Sequence, residues 1–219
     1  MQLIVHGKPA FGYASVVLEP GEKIITESGA MATMSPNIDL EAKLNGGLIK
    51  GILRKYFGSE SLFLNTFTNK GTQSAKMTIT QPTPGDLILK ELNNETIFLQ
   101  PSAFVACETG VSQGLSFAGF TSFIAREGLF KVKISGTGKV LFGAYGAIHE
   151  KEVKGELIVD TGHLVAYEPQ MNLKLQLSGG IISSFTSGEG LVTRVQGNGK
   201  IWIQTRSLQG LGSWINKFL

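Results

Sequence analysis

The sequence has little of what most function classes require. It holds one cysteine, Cys107, in 219 residues. A lone cysteine forms no internal disulfide, so nothing in the chain calls for an oxidising compartment. Charged residues make up only 17%. The formal net charge is +3, and no Lys/Arg block is longer than two. A nucleic-acid binder usually shows a basic stripe; here the basic residues are scattered, as at Lys8, Arg54 and Lys55. No run approaches 18 apolar residues, so no spanning helix is expected. The opening MQLIVHGKPA has neither a basic start followed by an apolar run nor an Arg/Ser-rich character. It does not read as a secretory or organellar leader, and the expected location is cytoplasmic.

What is abundant is glycine, 28 residues, within a chain that is 42% apolar. Few charges, many glycines and many Val, Ile, Phe and Thr predict short strands joined by tight turns. Three stretches share one pattern. They are GGLIKGILRKYFGSESLFLNTFTNKG, QGLSFAGFTSFIAREGLFKVKISGTGKVLF and GGIISSFTSGEGLVTRVQGNGKIWI. Gly47, Gly114 and Gly180 are 67 and 66 positions apart. Glu60, Glu127 and Glu189 are 67 and 62 apart, and Gly71, Gly138 and Gly199 are 67 and 61 apart. Pro20-Gly21-Glu22 returns as Pro84-Gly85-Asp86 and then as Gly155-Glu156. The expectation is one body made of three β repeats, approximately 1–81, 82–150 and 151–219. Gly136-Thr137-Gly138 and Gly197-Asn198-Gly199 read as hairpin turns. IKGILRKYF is a poor helix because of Gly51. The C-terminal SWINKFL reads as a helical turn capped by Ser213, with Trp214/Phe218 and Ile215/Leu219 spaced i,i+4.

Candidate chemistry is sparse. Leu157–Glu168, LIVDTGHLVAYE, places Asp160-Thr161-Gly162 after an apolar run, as an aspartic protease does. Aligned copies at Leu99–Glu108 and Thr26–Ser35 put Gln100 and Glu27 at the Asp160 position. A dyad needs two carboxylates close enough to share a proton, and no second Asp-Thr-Gly exists. Asp160 therefore reads as a turn residue bonded to its own backbone. His6, His149 and His163 form no HxH or HxxxH pair, which argues against a metal centre. The Gly-x-Gly-Lys stretches lack the Ser/Thr of a phosphate loop, and no nucleophile elbow is present. Cys107 reads as a small buried apolar residue. Phe117, Phe120, Phe123 and Phe130 crowd the second repeat among Ser, Gly and Ala, and read as core packing or a subunit contact rather than as base-stacking positions. No catalytic residue, metal or cofactor is expected.

SESLFLNTF, PGDLI, LQPSAFVA, GTGKVLFGAYG, LIVDTGHLVAYE, FTSGEGLV and GKIWIQTRS together resemble the altered-inheritance-of-mitochondria family of mitochondrial-biogenesis proteins. The resemblance implies a triplicated fold like that of the tryptophan RNA-binding attenuation protein, with three β-sandwich-like units about a pseudo-threefold axis. It supplies no catalytic residues; the family's mitochondrial members are linked to inner-membrane organisation, and their targeting segment is not recognised in this sequence, so that role is not expected here. The expected function is a non-enzymatic scaffold or interaction protein. It is expected to form a homo-oligomer and to bind an unidentified protein partner, with peripheral membrane contact as one form of that role. Nucleic-acid or small-ligand binding between units is the alternative, and nucleic acid is disfavoured. The candidate surface is Trp214, Ile215, Phe218 and Leu219, because four large apolar groups end a chain where polar residues are usual; the alternative is that this segment folds back as a lid over an open sheet end of its own chain.

Overall fold

The structure, a computed structural model, describes residues 1–44, 63–117, 130–177 and 191–218. Among them lie fifteen strands and one α-helix, so the all-β expectation holds. The first stretch contains β1 (Gln2–His6), β2 (Tyr13–Leu18), β3 (Lys23–Glu27), β4 (Met31–Met34), β5 (Ile38–Leu44), β6 (Phe63–Asn69) and β7 (Ala75–Thr80). The second contains β8 (Leu87–Leu99), β9 (Phe104–Glu108), β10 (Val111–Phe117) and β11 (Phe130–Gly143). The third contains β12 (Ile148–Asp160), β13 (Leu164–Tyr167), β14 (Asn172–Leu177), β15 (Leu191–Gln204) and helix α1 (Leu208–Ile215). A four-stranded sheet runs β1-β2-β7-β4. An eleven-stranded sheet follows the path β12-β15-β13-β8-β11-β9-β3-β6-β5, with β10 on β11 and β14 on β15.

Pairing repeats along the chain. A long antiparallel ladder joins β8 to β11, and another joins β12 to β15. Where these are continuous, the first stretch is broken: β2 pairs β7 and β3 pairs β6. A short strand then adds to each ladder: β4 to β7, β9 to β11, β13 to β15. Each short strand skips one residue in register, at Ala32, Val105 and Val165. Such a bulge bends the strand and leaves one residue unpaired. Three positions beyond each bulge, a side-chain oxygen accepts the amide of a lysine on the ladder. Ser35 Oγ takes Lys76 N at 3.0 Å, Glu108 Oε2 takes Lys139 N at 3.1 Å, and Glu168 Oε2 takes Lys200 N at 2.9 Å.

The Gly-x-Gly stretches are not hairpin turns. They lie inside β11 and β15, each a single 14-residue strand. Gly136, Gly138 and Gly197 have φ of +130°, +138° and +132°, a region that L side chains rarely enter. A Cβ on Gly136 would stand 2.3 Å from the Gly110 carbonyl oxygen. These glycines let another backbone approach closely rather than reverse the chain. The middle residue has its own task. Thr137 Oγ1 accepts from Asn94 N at 3.1 Å, and Asn198 Oδ1 from Gly155 N at 3.1 Å. Asn94 and Gly155 are themselves left-handed, at φ +58° and +90°. Gly21 is left-handed as well, at φ +81°, in the turn between β2 and β3. Pro84-Gly85-Asp86 lies before β8. Asn94 enters this region because its short polar side chain tolerates the conformation. Gly71 lies in the loop between β6 and β7, unlike Gly138 and Gly199 within their strands. Gly47, Glu60, Glu127, Gly180 and Glu189 lie outside the described residues.

Burial alternates along β2, β3 and β7, as a sheet with one covered face requires. One apolar cluster gathers Leu99, Ile134, Val140, Phe142, Val165 and Trp202 from four strands. The Trp202 and Phe142 rings meet edge-to-face with centroids 5.9 Å apart. A second cluster joins Leu18, Ile24, Phe67, Ile79, Leu87 and Leu141 beneath the smaller sheet. Buried Asn69 sits where the first ladder breaks. Its amide donates to the Leu18 and Gln73 carbonyls at 2.9 and 2.8 Å and accepts Gly71 N at 2.9 Å.

Gly136→Ala tests the close approach to Gly110. The added methyl meets a carbonyl and strains φ, so the expected loss is about 2–3 kcal/mol, read as a lowered urea midpoint with unchanged slope.

Candidate functional site

The C-terminal stretch from Ser207 to Phe218 places Leu208, Leu211, Trp214, Ile215 and Phe218 at helical spacing. Ser207, not Ser213, caps this helix: its Oγ accepts from Gly210 N at 3.0 Å. Ser213 lies inside α1. Gly210 and Gly212 lower helix propensity, which is why the pattern reads too short in sequence. The path continues past Ile215, with Lys217 N and Phe218 N donating to the Trp214 and Ile215 carbonyls.

Among the described residues nothing covers the apolar face of α1. Trp214 keeps 59% of its surface exposed and Phe218 72%, with their rings 5.1 Å apart. Leu208, Leu211 and Ile215 are exposed as well. Of the four residues expected to form a surface, Trp214, Ile215 and Phe218 stand together there; Leu219 lies outside the described residues. Leu208 and Leu211 belong to the same face, and their i,i+3 spacing after a serine is the signal that reveals them.

The helix starts from a fixed turn. Asp160 Oδ1 accepts Gly162 N at 2.8 Å, so the carboxylate is occupied in capping the 3-10 turn Thr161–His163. Gln204 Nε2 donates to the Gly162 carbonyl at 2.8 Å, and the Gln204 carbonyl accepts from His163 Nδ1 at 2.7 Å. A Cβ on Gly162 would lie 3.0 Å from that of Ser207, so α1 begins against the turn that ends β12.

The remaining candidates stay apart. Among the described residues no three His, Cys, Asp or Glu side chains come together in a way that would hold a metal. His6 stacks on Tyr13 with ring centroids 4.9 Å apart, and His149 is exposed on β12. Cys107 is buried, and burial pushes its thiol up to about 12, against a hydrogen bond from Gln113. Glu22 receives the Met1 amine, which holds its carboxyl below the usual range. Lys8 faces Asp86 at 3.8 Å. Arg54, Lys55, Phe120 and Phe123 lie outside the described residues, as do the side chains of Phe117 and Phe130. No described helix is long and apolar enough to cross a membrane.

The described residues thus form a mostly β body with one helix whose apolar face is exposed. The chain belongs to the mitochondrial biogenesis AIM24 family, which matches residues 4–206. An uncharacterized protein of Streptococcus pyogenes serotype M6 is 25% identical over 228 residues, covering all of this chain and 91% of its own. A crystal structure of another Streptococcus pyogenes protein superposes with a TM-score of 0.81 at 24% identity, covering all of this chain and 99% of that one. That likeness supports the fold alone.

Two measurements check the local chemistry. Asp160→Ala removes the cap and is expected to cost about 1 kcal/mol, and Asp160→Asn less, because its amide oxygen accepts the same bond; thermal melts of both variants decide. Cys107 is expected to resist maleimide at pH 8 until denaturant is added. Its raised value in the fold means that the thiol favours the folded state fully below about pH 9, and this contribution is lost as pH rises towards 12.

Proposed function

We propose that this protein is a non-enzymatic scaffold that associates with a second copy of itself, using the exposed apolar face of α1. The observation that carries this reading is the helix itself. Eight residues with two glycines make a marginal helix in water, and large aromatic side chains left exposed mark contact surfaces. A lipid-surface helix usually bears a Lys/Arg-rich polar face; the polar side of α1 offers Gln209, Gly210, Gly212 and Ser213, none of them charged. Protein contact therefore fits better than membrane contact.

The body that carries the helix is read as three equivalent β units about a pseudo-threefold axis, similar in plan to the tryptophan RNA-binding attenuation protein. The units are approximately 1–81, 82–150 and 151–219. Support comes from the recurrent ladder, the three bulges and the three oxygen-to-lysine-amide bonds. A cytoplasmic setting suits a lone buried cysteine.

The test is the double substitution Trp214→Ser with Phe218→Ser. Light scattering is expected to give a mass lower than that of the unaltered chain, with an unchanged far-UV circular dichroism spectrum. An unaltered chain that is already monomeric, or an unchanged mass in the variant, overturns the reading.

A further inference from the structure

The short strands of the second and third stretches do more than add to their own ladders. Each also reaches a strand of the stretch before it. β9 pairs β3, with Cys107 opposite Ile25 and Ala106 opposite Thr26. β13 pairs β8, with Tyr167 opposite Phe98 and Ala166 opposite Leu99. The two seams share one register. In each, the residue after the bulge faces the residue two positions before the 3-10 turn or its counterpart, and the next pair continues antiparallel.

A third seam would join β4 to the end of β12. Counting from the bulge at Ala32 and from Asp160 puts Thr33 opposite Val159 and Met34 opposite Ile158. That seam is not made within the chain: among the described residues β4 pairs only β7, and β12 pairs only β15. Burial reflects this. Val105, Ala106 and Cys107 are buried, and so are Val165, Ala166 and Tyr167. Their counterparts Ala32, Thr33 and Met34 are exposed. On the other side, Ile25 and Phe98 are half-buried, whereas Ile158 is 53% exposed.

An open edge is a template for pairing, and proteins commonly guard such edges with charge. β12 is guarded along its first half by His149, Glu150, Lys151, Glu152 and Lys154. Beyond Glu156 the guard stops, at Leu157-Ile158-Val159. β4, Met31-Ala32-Thr33-Met34, carries no charge. The two unguarded segments are the two that the register brings together.

We infer that β4 of one copy pairs antiparallel with the Leu157–Val159 end of β12 from a second copy, with Met34 opposite Ile158. The contact repeats between chains the seam that the chain makes twice within itself. Reciprocal pairing gives two such seams and closes a twofold dimer. This deepens the self-association proposed above and rests on the three-unit reading for its register.

The test uses Met34→Cys and Ile158→Cys as separate single variants, mixed and mildly oxidised. Directly opposite residues on antiparallel strands hold Cβ atoms about 4.5–5.5 Å apart, close to disulfide reach, and buried Cys107 does not compete. A disulfide-linked pair is expected in the mixture and in neither variant alone. Met31→Cys mixed with Ile158→Cys is the off-register control and is expected to stay unlinked. Linkage in the control but not in the first mixture means that the edges meet in another register; the inference fails there, and the three-unit reading fails with it. A chain carrying both Met34→Cys and Ile158→Cys that links internally shows closure within one chain, which overturns the second copy and leaves the three-unit reading standing. No linkage in any combination overturns the seam. Ile158→Lys places charge on the open edge and is expected to halve the mass with an unchanged circular dichroism spectrum; an unchanged mass counts against the seam. The Trp214→Ser/Phe218→Ser result is read separately, so a helix that proves irrelevant does not decide the edge.

Discussion

The long antiparallel ladder is the constraint on which the rest of the molecule depends. From Ile148 opposite Gln204 to Asp160 opposite Val192, β12 and β15 stay in register without a shift. Such a ladder leaves few choices to the next segment of chain. The chain leaving Asp160 must turn at once, and the carboxylate caps that turn. The next strand then shares β15 with β12, with a bulge at Val165. The chain leaving β8 does the same, with its bulge at Val105. Residue choice is tight where these backbones crowd. Gly136 and Gly197 take conformations closed to other residues, and Thr137 and Asn198 supply acceptors to a left-handed residue across the ladder.

The first stretch breaks that rule, and the second sheet is the consequence. β2 and β3 are separate strands, as are β6 and β7. The break is held by Asn69, whose buried amide joins the Leu18 carbonyl, the Gln73 carbonyl and Gly71 N. An unpaired amide buried at this point would be costly, so the bonds secure the break where it occurs. β3 and β6 remain in the large sheet, while β2 and β7 leave it and take β4 with them. The same break that creates a second layer also removes β4 from the large sheet, and so explains on the three-unit reading why one seam of three stands open.

What is legible in the sequence is local. The β class follows from composition. The role of Asp160 follows from comparing its neighbours with Gln100 and Glu27, because a cap acts within two residues. The aligned short segments match residue for residue, since the bulges fall at Ala32, Val105 and Val165. The features that the sequence conceals all involve partners distant along the chain or residues of unlike type. A Gly-x-Gly can reverse a chain or let another backbone approach, and only the position of Gly110 decides which. Pro84-Gly85-Asp86 resembles Pro20-Gly21-Glu22 in residue type, whereas Asn94 shares the left-handed conformation of Gly21 without sharing its residue type. The start of the helix is hidden because Gly210 and Gly212 weaken the pattern of a helix whose cap is Ser207.

Energetics bear on what the exposed parts of the chain require. Two glycines weaken α1 by about 1 kcal/mol each relative to alanine, and its cap returns about 1 kcal/mol. The helix buries none of its own residues. Its order therefore draws on the hydrogen bonds that fix the chain before Ser207, at Gln204, Gly162 and His163. A helix held this way is anchored by hydrogen bonds at its start, and its apolar face is exposed among the described residues. Covering Trp214 and Phe218 would remove two large aromatic groups from water, and each buried aromatic contributes on the order of 1.5–3 kcal/mol. That gain exceeds the cost of the glycines. A contact on this face would thus stabilise the helix as well as any assembly made through it, so order in the helix would be coupled to such a contact.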